Sequence, residues 1–279
     1  MLVSPKQILE KAKQGNYAVG HFNTSDLEIT QAIIIAAQKE KAPVIVATTP
    51  KAIKYAGLEQ LATIIKNLAA GSNIPIVLHL DHGKDLGLAR KCLQLGYTSI
   101  MIDGSELGFK KNINLTKQVV EVAHQKEAMV EGEIGVVGGG AHKGKQGGFT
   151  DPDEAQKYVQ ETGVDALAVS IGNAHGGLQP DEFLNFELLR QIEEKVKIPL
   201  VLHGASGTPE NQIKKAIQLG ICKINIDTDI RLAFRNSIKE FVKEHSDVYD
   251  PREIMIDAME AIEKVVRAKI KLFGSSNKD

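Results

Sequence analysis

Short β-rich runs alternate with helical patterns from one end of the chain to the other, and this alternation restricts the fold more than any other feature. The runs cover residues 17–22, 44–48, 76–80, 98–102, 128–133, 166–171, 200–203 and 223–226. They are nearly continuous in apolar residues, as expected of parallel strands covered on both faces. Eight such units in 279 residues predict a single α/β domain, a (β/α)8 TIM barrel of the usual size of roughly 250 residues. An open doubly wound sheet would place a glycine-rich turn after the first strand, and His21-Phe-Asn-Thr-Ser-Asp26 is not one.

Helix starts punctuate the alternation. Ser25 with Glu28 reads as a capping box opening a helix over 26–39. Asp151-Pro152 and Thr208-Pro209 each set a capping side chain before a proline at the first helical position. "LQLGYTSIMID" (93–103) and "IQLGICKINID" (217–227) repeat one pattern of helix end, glycine stop, strand and acid. Beyond the eighth strand, helices over 230–245 and 252–273 read as a closing helix and a C-terminal helical extension spanning about 246–274, followed by a frayed "GSSNKD". No linker interrupts residues 1–279, which form one domain on this reading.

Composition excludes several functions. Net charge is −1, too little for a broad field that would hold a nucleic-acid backbone. Trp is absent and aromatics are 5% of the chain, so stacking platforms for bases are not expected. No apolar run approaches the roughly 20 residues of a membrane span, and the amphipathic "MLVSPKQILEKAKQGN" lacks the apolar core of a signal peptide. Cys92 and Cys222 stand apart in apolar surroundings and read as reduced core thiols of a cytoplasmic protein.

Every predicted strand ends in polar groups. They are Asn23; Thr48 and Thr49; His79, Asp81 and His82; Asp103; Glu131 and Glu133; Asn173 and His175; His203 and Gly204; Asn225 and Asp227. Singly, each has an ordinary explanation as a turn former, and Asp227 and Thr228 could simply cap a helix. His124, inside a helix, reads as a surface residue. In a barrel, however, these strand ends share one rim. His82, His175 and His203 would converge there, with Asp103 and Glu133 on the strands between. Three imidazoles are the donor set of a catalytic zinc with one position open, and nickel or cobalt would fit the same donors.

Glycines cluster on the same rim in Gly172-Asn-Ala-His-Gly-Gly177 and His203-Gly-Ala-Ser-Gly207, the second leading into a helix start. Backbone N–H groups at such turns form anion sites, and residues 225–229 add side-chain donors. A phosphorylated substrate is therefore expected.

With these residues in place, the chain resembles the class II, metal-dependent fructose-bisphosphate aldolases, a family that includes tagatose-bisphosphate enzymes. The resemblance covers nearly the whole chain. It is carried by "VLHLDHG" (77–83), "EGEIGVVGG" (131–139), "IGNAHG" (171–176), "LHGASG" (202–207) and "KINIDTD" (223–229). It implies that Asp81 moves a proton at the C4 oxygen, that His82, His175 and His203 bind zinc, and that Asp103 and Glu133 hold an alternative metal position. It implies that the triose phosphate half rests on Gly176, on Gly204, Ala205 and Ser206, and on Asn225, Ile226, Asp227 and Thr228, with Na+ or K+ bound nearby. Asn23 matches a substrate-contacting asparagine. Arg231 matches the arginine that follows the acid of the N-x-D motif in fructose-type members, and Arg252 matches one that reaches a neighbouring subunit's distal phosphate, so a homodimer or homotetramer is implied.

The implied reaction is aldol cleavage of fructose 1,6-bisphosphate to dihydroxyacetone phosphate and glyceraldehyde 3-phosphate, or its reverse, as in glycolysis and gluconeogenesis. Asp227 with Arg231 fits the fructose-type members better than the tagatose type, which carries a small residue at that place. Two positions depart from the family. The loop glutamate that serves as base at the triose phosphate carbon is replaced by Ala141, with His142 beside it, and the lysine after His-Gly on strand six is absent.

Three rivals remain open on sequence. One is a tagatose-bisphosphate or other ketose-bisphosphate aldolase. Another is a metal-dependent barrel hydrolase, which would want an H-x-H pair on strand one, where only His21 stands. The third is a non-catalytic barrel that binds a sugar phosphate. A Schiff-base aldolase needs a lysine at a strand end; Lys223 starts a predicted strand and Lys84 lies in a loop.

Overall fold

The computed structural model describes residues 1–137, 148–174 and 183–279. Within them eight parallel strands close into a barrel in chain order. The strands are β1 Val19–Asn23, β2 Val44–Thr48, β3 Ile76–Gly83, β4 Ser99–Ile102, β5 Met129–Ile134, β6 Ala166–Val169, β7 Leu200–Leu202 and β8 Ile221–Ile226. Helix α1 (Pro5–Gly15) precedes them. α2 (Leu27–Lys39) follows β1, and α3 (Pro50–Ala56) with α4 (Leu58–Ala70) follows β2. α5 (Leu86–Gln94), α6 (Phe109–His124), α7 (Pro152–Thr162), α8 (Phe186–Lys195), α9 (Glu210–Gln218) and α10 (Thr228–Glu244) follow β3 to β8 in turn. α11 (Pro251–Phe273) forms the C-terminal extension and packs on α2 and α10. The barrel expected from the alternation is present.

The main core lies between sheet and helices, where Leu78, Leu80, Ile100, Ile102, Val130 and Leu202 meet the buried faces of α2, α4, α6 and α8. A second, smaller core fills the foot of the barrel. Val19, Ile45, Val77, Met129, Val201 and Cys222 point inward there, and Ile8, Leu9 and Ala12 of α1 close over them. Both cysteines are free and buried. Among the described residues, no helix is long and apolar enough to cross a membrane.

Local signals fared unevenly. Asp151 caps α7 by accepting from the amides of Asp153 and Glu154, each at 2.9 Å. Gly96 and Gly220, after α5 and α9, take the left-handed φ of +86° and +102° that helix stops require. At α2 the cap is Asp26 rather than Ser25, because its carboxylate reaches the Ile29 amide at 2.8 Å while Ser25 hydroxyl turns to Asp26 itself. Thr208 does not cap α9: Pro209 occupies the cap position and the buried Thr208 hydroxyl has no partner among the described residues. The C-terminal tail is not frayed. Ser275 is buried, and the amides of Asn277 and Lys278 donate to the carbonyls of Glu40 (2.9 Å) and Lys41 (3.0 Å).

Candidate metal centre and active site

Side chains alternate along a strand, so on β3 His79 and Asp81 face the barrel axis while Leu78 and Leu80 face the helices. His82 would be expected to follow the leucines outward. Instead the pairing of β3 with β4 shifts register between Leu80 and Gly83, and His82 takes a left-handed φ of +50°. Such a bulge re-aims one side chain. It brings the His82 ring to the mouth beside Asp81, at a backbone cost of about 1–2 kcal/mol for a residue with a Cβ.

The ring then meets defined partners. His82 Nδ1 lies 3.0 Å from an Asp103 carboxylate oxygen, and its Nε2 lies 3.2 Å from Nδ1 of His203. The other His203 nitrogen, Nε2, is 2.9 Å from Glu131 Oε1. A carboxylate accepts only, so each imidazole donates to its acid and turns its remaining nitrogen toward the other. Nitrogens gathered on a tetrahedral zinc stand about 3.3 Å apart, given Zn–N bonds of about 2.0–2.1 Å. The observed 3.2 Å separation fits a shared divalent ion. Asp81, His82 and His203 form one trio of potential ligands, and His82, Asp103 and Glu133 form another. Glu133 Oε2 is buried without a hydrogen-bond partner among the described residues, as suits an oxygen kept for a cation. These residues fit a metal.

Electrostatics agree. Burial alone would lower the His82 imidazole, but Asp81, the hydrogen bond to Asp103 and Glu133 together hold it up to about 9. Burial, with Asp103 nearby, pushes the Glu133 carboxyl up to about 8. The carboxylates that hold His82 up give this end of the mouth a negative potential suited to a cation. His175 and Gly176, the remaining parts of the expected strand-six motif, lie outside the described residues, as do Ala141 and His142.

Asp81 is buried and twice bonded. Asn23 Nδ2 donates to its Oδ2 at 2.9 Å, and Asn225 Nδ2 reaches its Oδ1 at 3.4 Å. Burial would raise its carboxyl, but the charges of His82 and Lys223 outweigh this and hold it well below the usual range. Ionised and half-neutralised, it is a hydrogen-bond acceptor at the floor of the mouth.

The predicted phosphate loops stand on the same rim. Gly204 and Gly207 have φ of +64° and +74°, which lets the backbone turn sharply after β7. Ala205 and Ser206 are buried between them, and Ser206 hydroxyl accepts from the Asp229 amide at 3.3 Å. Ile226 ends β8 and Thr228 opens α10, so N-terminal amides of a long helix face this rim. Asp227 sits at the cap position but makes no side-chain cap bond; its carboxylate pairs with Arg231 Nε at 2.7 Å. Arg252 is engaged by Asp250, Nε to Oδ1 at 3.0 Å, and is otherwise exposed. Asn173 serves the scaffold: its Nδ2 holds the His203 carbonyl at 3.0 Å.

Sequence reasoning counted His79 and Glu131 among the strand-end groups but missed that they belong to a buried layer beneath the rim. His21, His79, Ser99, Glu131 and Lys223 are buried inside the barrel. Lys223 does not begin a strand; it lies mid-way in β8, with Nζ 2.8 Å from Glu131 and 2.9 Å from Asn225 Oδ1. An ammonium locked between those partners is not a free Schiff-base amine. The period of two would have found this layer, since His21, His79, Glu131 and Lys223 each stand two residues before or after a strand-end candidate.

The model of the family described as "Fructose-bisphosphate aldolase class-II" matches residues 3–278. The chain belongs to the class-II fructose-bisphosphate aldolase family. Within this family, it is 41% identical to a fructose-bisphosphate aldolase of Geobacillus stearothermophilus, covering 99% of this chain and 98% of that protein. It is 42% identical to a 6-phospho-5-dehydro-2-deoxy-D-gluconate aldolase of Bacillus subtilis, covering 99% and 97%. The crystal structure of the YdjI aldolase of Escherichia coli superposes with a TM-score of 0.88 at 34% identity, covering 100% of this chain and 99% of that one. The protein is thus an aldolase, a carbon–carbon lyase, and the histidine–carboxylate cluster matches the metal dependence general to class II aldolases.

Proposed function

We propose that this protein cleaves fructose 1,6-bisphosphate to dihydroxyacetone phosphate and glyceraldehyde 3-phosphate, and catalyses the reverse condensation, with zinc as its ion. The observation that carries this reading is the placement of an ionised, buried Asp81 next to paired imidazoles 3.2 Å apart. His82 and His203 would hold the ion together with His175, and Asp103 and Glu133 would offer it a second position. A bound divalent ion supplies Lewis-acid stabilisation of the negative charge left on the triose phosphate half.

The chain's own groups do the rest. Asp81 takes the C4 hydroxyl proton in cleavage and returns it in condensation. Asn23 and Asn225 fix the aim of its lone pairs. Backbone amides at Gly176 and from Gly204 through Ser206, with Asn225 to Thr228, receive the phosphate of the triose half, and Na+ or K+ bound nearby balances its charge. Arg231, held by Asp227, stands on the distal side; Arg252, exposed, serves the distal phosphate of a neighbouring protomer in a homodimer or homotetramer. The protein works in the cytoplasm on these small sugar phosphates.

A second reading is supported by the 42% identity to the B. subtilis enzyme whose named substrate ends in a carboxylate rather than a distal phosphate. A ketose bisphosphate of another configuration, such as tagatose 1,6-bisphosphate, belongs beside it. Steady-state cleavage of fructose 1,6-bisphosphate, tagatose 1,6-bisphosphate and the deoxygluconate phosphate, run in parallel, decides among them. The highest kcat/KM is expected for the fructose compound, abolished by EDTA and restored by zinc. Turnover of none of the three with zinc present would leave a non-catalytic sugar-phosphate barrel and sink the proposal.

A further inference from the structure

Asp81 is steadied by two asparagines from neighbouring strands, and each asparagine is itself held from the layer below. On β1, His21 stands two residues before Asn23; on β8, Lys223 stands two before Asn225. Two residues is one strand period, so each pair shares the inner face. The strands lie side by side, with His21 opposite Asn225. Lys223 Nζ donates to Asn225 Oδ1 at 2.9 Å, and His21 Nε2 lies 2.6 Å from Asn23 Oδ1. The two arrangements are alike: a buried donor below, an amide oxygen pointing down, an amide nitrogen pointing up at one oxygen of Asp81.

The direction of every bond in the β1 arm follows from chemistry. An ionised carboxylate accepts and cannot donate, so Asn23 must turn Nδ2 to Asp81. Its Oδ1 is then fixed toward His21. An amide oxygen only accepts, so His21 must carry its proton on Nε2. That leaves Nδ1 as a bare lone pair, buried without a hydrogen-bond partner among the described residues. A doubly protonated ring would bury an N–H with nothing to receive it. His79 lies edge-on at 5.1 Å, its Nδ1 at 2.7 Å from Ser99 hydroxyl.

We propose that His21 is a positioning residue for the aldol step: its Nε2–H fixes the amide of Asn23, and through that amide the orientation of Asp81 toward the C4 hydroxyl. The proposal rests on the reading of Asp81 given above. His21, His79 and Asp81 also lie close enough to be considered as ligands of a second ion. The His21 nitrogen nearest Asp81 is already spent on Asn23, however, and the Lys223 ammonium is a nearby charge repelling a cation from both rings.

The test uses the full chain loaded with zinc. In His21→Val the donor is gone and a strand-compatible side chain remains. Loss of this neutral hydrogen bond is expected to lower kcat for fructose 1,6-bisphosphate about three- to ten-fold, with KM and zinc content near parental. Solvent deuterium exchange into dihydroxyacetone phosphate alone does not involve the C4 oxygen and is expected to persist. His21→Gln, whose amide can donate from nearly the same place, is expected to recover most of the rate. Parental cleavage by His21→Val overturns the proposal. So does equal loss of cleavage and exchange, which marks a merely structural role, or loss of a second equivalent of zinc, which marks a metal ligand. Imidazole nitrogen NMR of the parental protein gives a reading free of any substrate. A bare Nδ1 and protonated Nε2, absent from the His21→Gln spectrum, are expected; the opposite tautomer or an imidazolium at neutral pH overturns the proposal. If the parental chain fails to cleave the bisphosphate, the substrate reading falls while the tautomer result still judges His21.

Discussion

Glu131 joins a cation to an imidazole: its Oε2 lies 2.8 Å from Lys223 Nζ, and its Oε1 lies 2.9 Å from His203 Nε2. All three groups are buried. The bond to His203 engages Nε2 and so turns Nδ1 toward His82, and the bond to Lys223 keeps the acid ionised where burial would otherwise raise its carboxyl. Glu131→Gln should therefore weaken zinc binding about ten- to a hundred-fold. It should also destabilise the fold by about 3–5 kcal/mol, because Lys223 is left as an unpaired buried charge. Zinc affinity by competition with a chromophoric chelator, together with a urea melt, reads both. An unchanged zinc Kd would mean that Glu131 does not set the His203 tautomer.

Asp81→Asn should keep the ion and lose the reaction. The replaced group is nearly isosteric and cannot accept a proton. A drop in cleavage of about 10²–10⁴-fold is expected for loss of a positioned base, with zinc near one equivalent by elemental analysis. Parental turnover would remove Asp81 from the proton's path.

His203→Ala and His82→Ala should each lower zinc content, but their effects on the metal-free fold should differ. His203 is part of a buried ion network, so its loss removes one of the two buried partners that hold Glu131. His82 is more exposed than the fully buried His203, so its replacement removes less buried surface. Melting of the chelated variants should place His203→Ala below His82→Ala.

The metal-free protein should lose stability as pH rises from about 6.5 to 9. His82 is held at about 9 against an ordinary value near 6.5. Its contribution is fully present below the unfolded value and disappears as pH passes the folded one. Glu133, raised to about 8, acts in the same direction, since folding favours its protonated form. For His82 the effect is about 3 kcal/mol at most, or roughly 5–10 °C in melting temperature for a chain of this size. Zinc should reverse the trend, because its ligands must shed their protons to bind. Calorimetry with and without EDTA at both ends of that range checks the sign.

Arg231→Ala should raise KM for a distal phosphate while leaving exchange into dihydroxyacetone phosphate unchanged, since the guanidinium is tied to Asp227 at the outer edge of the rim. Equal losses in both assays would place Arg231 on the triose side.

The barrel was legible because its strands are apolar on both faces and its helices carry ordinary caps and stops. The rim was legible because strand ends in a barrel converge, whatever the contacts. What escaped was set by geometry that composition does not encode. Nothing in "LHLDHG" announces that the backbone slips at His82, and strict alternation would have sent that ring into the helices. Lys223 was misplaced because a charged residue in an apolar run is ordinarily read as a strand boundary. The opposed Glu131, with the Asn225 amide oxygen, makes its burial tolerable. Ser25 and Thr208 were misjudged as caps because a neighbouring residue took the position, a choice made by a single backbone turn.

The plug formed by Ile8, Leu9 and Ala12 closes the foot of the barrel among the described residues. Whatever reaches Asp81 enters at the rim, and both fragments of a split sugar must depart by that same exit. A short helix at the opposite pole from the chemistry thus sets the direction of traffic in this molecule.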